Sequence, residues 1–205
     1  MKKCLFQGTF FVASGVVCLM LRYGGRAMKA VRWQPADGDG LEHLEVDMRS
    51  EGITAESVLA GEGFGAAYRI ECDPAWHVTR VVVTRMGGAT LELISDAEGR
   101  WTEGNGSPRD DLAGCIDIDI SATPFTNTLP IRRLKLAVGE RRVIRVVYIA
   151  LPELTAARVE QAYTCIEQDR RYRYEGITSR YTAELPVGAD GFVIDYPGLF
   201  RRRYT

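Results

Sequence analysis

The run Cys115-Ile116-Asp117-Ile118-Asp119-Ile120 alternates apolar and acidic side chains, and a proline-punctuated polar stretch, Ser121-Ala122-Thr123-Pro124-Phe125-Thr126-Asn127-Thr128-Leu129-Pro130, follows at once. Successive side chains of an extended strand point to opposite sides. The isoleucines therefore take one face of a strand, and Asp117 and Asp119 share the other. No other stretch of the chain is so specific.

From Met28 onward almost every segment has the same character, with short β-branched and aromatic runs bounded by Gly, Asp, Asn and Pro. Strands are predicted over residues 29–33, 41–48, 53–60, 64–72, 76–86 and 89–95, with turns at Gly61-Glu62-Gly63, Gly87-Gly88 and Asp96-Ala97-Glu98-Gly99. Gly99 suits a positive φ in the last of these. Residues 134–138 and 142–151 read as a hairpin about Gly139-Glu140, and residues 123–130 as an extended loop fixed by its prolines. Residues 155–168 fit both periods: Val159, Tyr163 and Ile166 recur at helical spacing, while Val159, Gln161, Tyr163 and Cys165 alternate, and strand is preferred. Short strands over 171–175, 180–187 and 192–196 complete the chain. Residues 90–101 also align with residues 182–193, matching Thr, Glu, Leu, Ala and Gly in place, which suggests an internal duplication. The expected fold is mainly β: a many-stranded antiparallel curved sheet or half-barrel, internally duplicated, with little helix.

At 205 residues the chain is long enough for a substantial core, and its 26 basic and 27 acidic residues leave a formal charge of −1. That balance lacks the basic excess that drives nucleic-acid binding. Five cysteines without a C-x-x-C pair and two histidines, His43 and His77, indicate neither a disulfide framework nor a metal site. Cys72, Cys115 and Cys165 read as buried free thiols. No cofactor is indicated.

Residues 1–27 stand apart from the β domain of residues 28–205. Lys2-Lys3 precede an apolar run, and Gly25-Arg26-Ala27 resembles a cleavage site, so one reading is a secretory signal. Gln7, Gly8, Thr9, Ser14 and Gly15 interrupt the run, and the other reading is a start at Met28. The first implies export and the second a cytoplasmic protein. Membrane contact is not indicated by the sequence.

Candidate sites gather around the alternating strand. Asp117 and Asp119 have the residue type of a glycosidase acid/base pair, but neighbours two apart on a strand lie only about 6.6 Å apart at Cα. A solvated or salt-bridged face is the ordinary reading, with Arg132 and Arg133 as partners across the turn, and one such ion pair is expected. Thr126, Asn127 and Thr128 either satisfy backbone groups or read sugar hydroxyls. Trp33, Trp76, Trp101, Tyr163, Tyr172, Tyr174 and Phe192 are core in a closed sandwich, or line a pocket for an acyl chain in an open sheet. The terminal Arg201-Arg202-Arg203 reads as a solvated run. No nucleophile elbow or Cys-His pairing supports covalent catalysis.

Several stretches carry a resemblance: Leu41-Glu42-His43-Leu44, Asp96-Ala97-Glu98-Gly99-Arg100-Trp101, Thr123-Pro124-Phe125-Thr126-Asn127-Thr128-Leu129-Pro130-Ile131-Arg132-Arg133-Leu134, Tyr172-Arg173-Tyr174-Glu175 and Asp190-Gly191-Phe192-Val193-Ile194-Asp195-Tyr196-Pro197-Gly198-Leu199. Over residues 28 to about 200 the chain is similar to the bacterial family "Putative glycolipid-binding". The resemblance implies a duplicated β fold like the half-barrels of periplasmic lipoprotein carriers. It also implies a binding role rather than an enzymatic one. The expected partner is a glycolipid or other amphiphile, held near Trp101, Asp117, Asp119, Thr126, Asn127, Arg132, Arg133, Tyr174 and Tyr196. A hydrolase using Asp117 and Asp119, or a cavity-free interaction protein, are the alternatives.

Overall fold

The computed structural model describes residues 20–23 and 26–203. Its elements in chain order are β1 (Met20–Tyr23), β2 (Arg26–Pro35), β3 (Leu41–Met48), β4 (Ile53–Gly61), β5 (Phe64–Cys72), β6 (Val78–Arg85), β7 (Thr90–Ser95), β8 (Trp101–Glu103) and β9 (Asp117–Ile120). There follow one short helix, α1 (Thr128–Leu134), then β10 (Arg141–Ala150), β11 (Thr155–Glu167), β12 (Arg171–Gly176), β13 (Tyr181–Pro186), β14 (Asp195–Tyr196) and β15 (Phe200–Arg203). The signal-like reading of residues 1–27 falls mostly outside the described residues.

Two sheets result. The larger runs β14-β15-β2-β3-β4-β5-β6-β7-β8, antiparallel throughout, with β1 also paired to β2. The smaller runs β13-β12-β11-β10-β9. The strand path of each has two ends, so neither sheet closes on itself. Strand order does not repeat between them: residues 90–95 form β7 inside the large sheet, whereas residues 182–186 lie in β13 at an edge of the small one.

The large sheet alternates as its sequence does, turning Leu44 and Val46 of β3, Ile53, Ala55 and Leu59 of β4, and Ala66, Tyr68 and Ile70 of β5 inward. These pack with Trp33, Trp101, Ile118, Ile120, Phe125, Val147 and Phe192 in one core. A second core gathers Ile131, Tyr163, Cys165, Tyr172, Tyr174, Leu185 and Tyr196 beside the small sheet. Residues 155–167 form a strand paired along its length with β10, from Arg141 opposite Thr164 to Ala150 opposite Thr155. Gly99 takes φ +97°, and a Cβ there would press on the backbone of Gly114. Cys72, Cys115 and Cys165 are free thiols in the interior.

Four expectations need correction. The central strand β9 runs parallel to β10, with Val146 opposite Asp117 and Ile149 opposite Ile120, so the small sheet is mixed. Residues 134–138 form no hairpin arm: α1 ends at Leu134, and Gly139 and Glu140 bond across to Cys165. Residues 123–130 are not extended. A 3-10 turn at Phe125–Asn127 leads straight into α1, because Pro124 precedes the turn and Pro130 sits in the first turn of α1, where a backbone N–H has no intrahelical partner anyway. Finally, the Arg201-Arg202-Arg203 run lies in β15, and while Arg201 and Arg203 are exposed as expected, Arg202 is not solvated but grips both oxygens of Asp190 at 3.0 and 2.6 Å.

Candidate functional site

Strand β9 lies between the two cores and is covered on both faces, as parallel strands usually are. Ile118 and Ile120 face the large sheet's core. The acidic face is covered as well, by α1 and by β11. Asp117, 0 % exposed, is gripped by Arg133 from α1, with Nε donating at 3.0 Å and Nη2 at 2.6 Å. The expected ion pair across the turn is this one. Burial raises the Asp117 carboxyl, and the Arg133 guanidinium opposes that rise. Both oxygens are occupied, so Asp117 does not offer a free carboxyl beside Asp119.

Asp119 has a different setting. Its Oδ1 accepts from the Thr126 hydroxyl at 3.1 Å and its Oδ2 from the Gln161 amide at 2.5 Å, and no guanidinium or ammonium pairs with it among the described residues. Burial raises this carboxyl, and the bonds from Gln161 and Thr126 oppose the shift. It stands in the wall of a hollow of about 440 Å³, together with Tyr148, Gln161, Tyr174, Tyr181, Tyr196, Leu199 and Phe200. The rings of Tyr174 and Tyr196 meet edge to face at 6.0 Å, and Tyr163 backs Tyr174 at 5.6 Å. Burial, then neighbouring charge that includes Asp119, holds the Tyr174 and Tyr196 hydroxyls protonated, well above the ordinary tyrosine range.

A second hollow of about 300 Å³ adjoins the first and shares Ser121, Leu199 and Phe200 with it. Its wall carries Trp33, Leu41, Leu59, Phe64, Ala122 and Leu151 together with the acids Asp37, Asp39 and Glu62. It also holds one buried acid, Glu42, which is 3 % exposed. Ser57, Tyr68 and Thr123 all donate hydroxyl bonds to Glu42 Oε1, at 2.9, 2.6 and 2.9 Å. Oε2 is buried without a protein partner. Burial pushes this carboxyl up to about 7, against the three hydroxyl bonds. The acids of the two hollows are joined through one turn, since Thr123 bonds Glu42 while Thr126, whose hydroxyl lies 3.5 Å from the Thr123 carbonyl, bonds Asp119.

Of the residues singled out in the sequence, Asp119, Tyr174 and Tyr196 come together in the larger hollow, and Thr126 supports Asp119 from behind. Asn127 accepts from the buried Tyr163 hydroxyl at 2.9 Å. Arg132 donates to the Asp190 carbonyl at 2.6 Å and lies over the Trp76 ring, occupying the space a Cβ on Gly191 would need. Trp101 is not part of either wall. Its indole N–H donates to the Cys115 carbonyl at 2.8 Å inside the first core. Glu42 was missed, although it carries a legible signal: it shares strand parity with Leu44 and Val46, so an acid occupies an inward position. Tyr148, Gln161, Tyr181 and Phe200 carried no comparable mark.

Among the described residues no group of three or more His, Cys, Asp or Glu side chains could hold a metal ion, and no helix is long and apolar enough to cross a membrane.

A search of curated proteins gave no match. Among solved structures, the chain is similar to a DUF1089-family protein of Pseudomonas aeruginosa whose crystal structure was determined at 1.80 Å. The two are 36% identical, the match covers 79% of this chain and 92% of that one, and the TM-score is 0.71. The family described as "Putative glycolipid-binding" matches residues 30–202, nearly the whole of the described fold. The chain belongs to that family.

Proposed function

We propose that this protein binds a glycolipid or related amphiphile in the two adjoining hollows between its sheets, without carrying out chemistry on it. The observation that carries the reading is their shared wall: a hollow lined by Asp119, Glu160 and four tyrosines meets, at Ser121, Leu199 and Phe200, a second one that carries Trp33, Leu41, Leu59, Phe64 and Leu151. A sugar suits the first. Its hydroxyls can donate to Asp119 and bond Gln161, while its C–H faces lie on Tyr174, Tyr181 or Tyr196. A hydrocarbon tail suits the second, where burial against Leu41, Leu59, Phe64 and Leu151 contributes about 25 cal/mol per Å² before ordering costs.

Charge narrows the head group. Asp119 and Glu160 are in the wall of the tyrosine-lined hollow, and no lysine or arginine is. A neutral sugar fits such a wall better than an anionic one, because a like charge beside a half-buried carboxylate is repelled. In this reading Thr126, Asn127, Asp117, Arg133, Arg132 and Trp101 hold the frame, while Asp119, Tyr174 and Tyr196 touch the ligand.

Native mass spectrometry of the purified protein, combined with solvent extraction, tests the proposal. An amphiphile retained on the protein and released by extraction is the expected result. Finding none, together with no saturable binding of dodecyl maltoside below its micellar concentration, would overturn it.

A further inference from the structure

Glu42 poses a problem that the protein leaves unsolved. Three hydroxyls converge on Oε1, so a proton on this carboxyl resides on Oε2, and Oε2 has no protein acceptor. A buried donor without a partner costs about 1–3 kcal/mol. Glu42 is in the wall of the smaller hollow, beside the apolar Trp33, Leu41, Leu59, Phe64 and Leu151 and three further acids, Asp37, Asp39 and Glu62. At the junction of tail and head an acyl-linked amphiphile carries an ester or amide carbonyl, a better hydrogen-bond acceptor than the ether oxygen of an alkyl glycoside.

We propose that Glu42, as a neutral acid, donates from Oε2 to the ester or amide carbonyl of an acyl chain, so that the protein selects acyl-linked glycolipids over alkyl-linked ones. This rests on the amphiphile-binding reading above and specifies the linkage between sugar and tail. The surroundings are suited to the neutral form. The charged groups in the wall are Glu42 itself with Asp37, Asp39 and Glu62. Of the strands packed around Glu42, β4 contributes Ser57 and β5 contributes Tyr68, while the turn after β9 contributes Thr123; none of these is a cation. Burial keeps the carboxyl protonated to near neutral pH, and ionisation above that removes the donor.

The experiment compares two disaccharide detergents with twelve-carbon tails below their micellar concentrations, by titration calorimetry. Sucrose monolaurate carries an ester carbonyl and dodecyl maltoside carries none. The quantity read is the ratio of their dissociation constants as pH changes, because titration of Asp119 and of the wall acids is common to both detergents, and any preference between the sugars is common to both pH arms. In the native protein the ratio should favour the ester by about tenfold more at about pH 6 than at about pH 8.5. Glu42→Gln, whose amide still donates but does not ionise, should hold the acidic-arm ratio at both pH values. Glu42→Leu should hold the alkaline-arm ratio at both.

A native ratio that does not move with pH overturns the inference, and so does a Glu42→Gln ratio that still shifts. If Glu42→Leu fails to fold, those two measurements decide alone. Dodecyl maltoside binding with a flat ratio removes the carbonyl contact and leaves the amphiphile reading intact. Absence of binding by either detergent removes both.

Discussion

Two regions flank β9 and handle buried acid in opposite ways. On the side of α1, Asp117 is sealed from solvent and neutralised by a two-point contact with Arg133. On the side of the hollows, Asp119 and Glu42 are met only by hydroxyls and an amide, and one oxygen of Glu42 is met by nothing in the protein. Asp117 and Asp119 are two residues apart on one strand, so chemistry of the side chain does not distinguish them. What differs is the neighbour. A carboxylate whose charge and bonding capacity are consumed internally holds the fold together, whereas one left short of partners at a hollow has capacity remaining for a ligand.

The largest effect should come from breaking the internal pair. Arg133→Leu leaves Asp117 buried and uncompensated, and urea denaturation should show a loss of about 3–5 kcal/mol. Asp117→Leu combined with Arg133→Leu should recover much of that loss, and a double variant as unstable as the single one would contradict the assignment.

Next comes the pH dependence created by Glu42. Its folded value of about 7 lies above the ordinary 4.5. The carboxyl therefore favours folding fully below the ordinary value, and that stability is lost as pH rises through the window up to about 7. The loss is about 3 kcal/mol at most, and a Glu42→Gln variant should lack it. Equal pH slopes for native and variant protein over that window would show that Glu42 ionises freely in the folded state.

Asp119→Asn comes third. It retains an acceptor for Thr126 or Gln161 but loses the charge, and affinity for dodecyl maltoside should fall about tenfold with little change in the denaturation midpoint. Unchanged affinity would move the sugar away from Asp119. The smallest effect belongs to the outer face of the large sheet. Arg80 pairs with Glu92 at 2.7 Å between half-exposed side chains, and Arg80→Ala should shift stability by less than about 1 kcal/mol. A loss as large as that for Arg133→Leu would erase the distinction between sealed and open pairs.

Much of this architecture is legible in the chain. Period-two patterning marks β3, β4 and β5, and the turns at Gly63, Gly87 and Gly99 fall where the glycines stand. Charge complementarity across the turn after β9 also anticipates one ion pair there, and the fold makes it Asp117 with Arg133. The helix at Thr128–Leu134 was hidden because Pro124 before it and Pro130 within it mark an extended chain as readily as the start of a helix. The tyrosine-lined hollow was hidden for another reason. Tyr148, Tyr174, Tyr181 and Tyr196 come from four strands of two sheets, and local pattern says nothing about which strands become neighbours.

By itself, then, the amino-acid order determined where the chain extends, where it turns and which side of each strand is greasy, since those follow from steric limits and the two-residue repeat of a single segment. Only the assembled layers decided that β9 lies parallel to β10 under a short helix. They also decided that one aspartate of an alternating pair meets a guanidinium while the other faces an aromatic hollow. The physical reason is that neutralising or exposing a buried charge depends on groups far apart in the chain, brought within a few ångströms only when both sheets are in place.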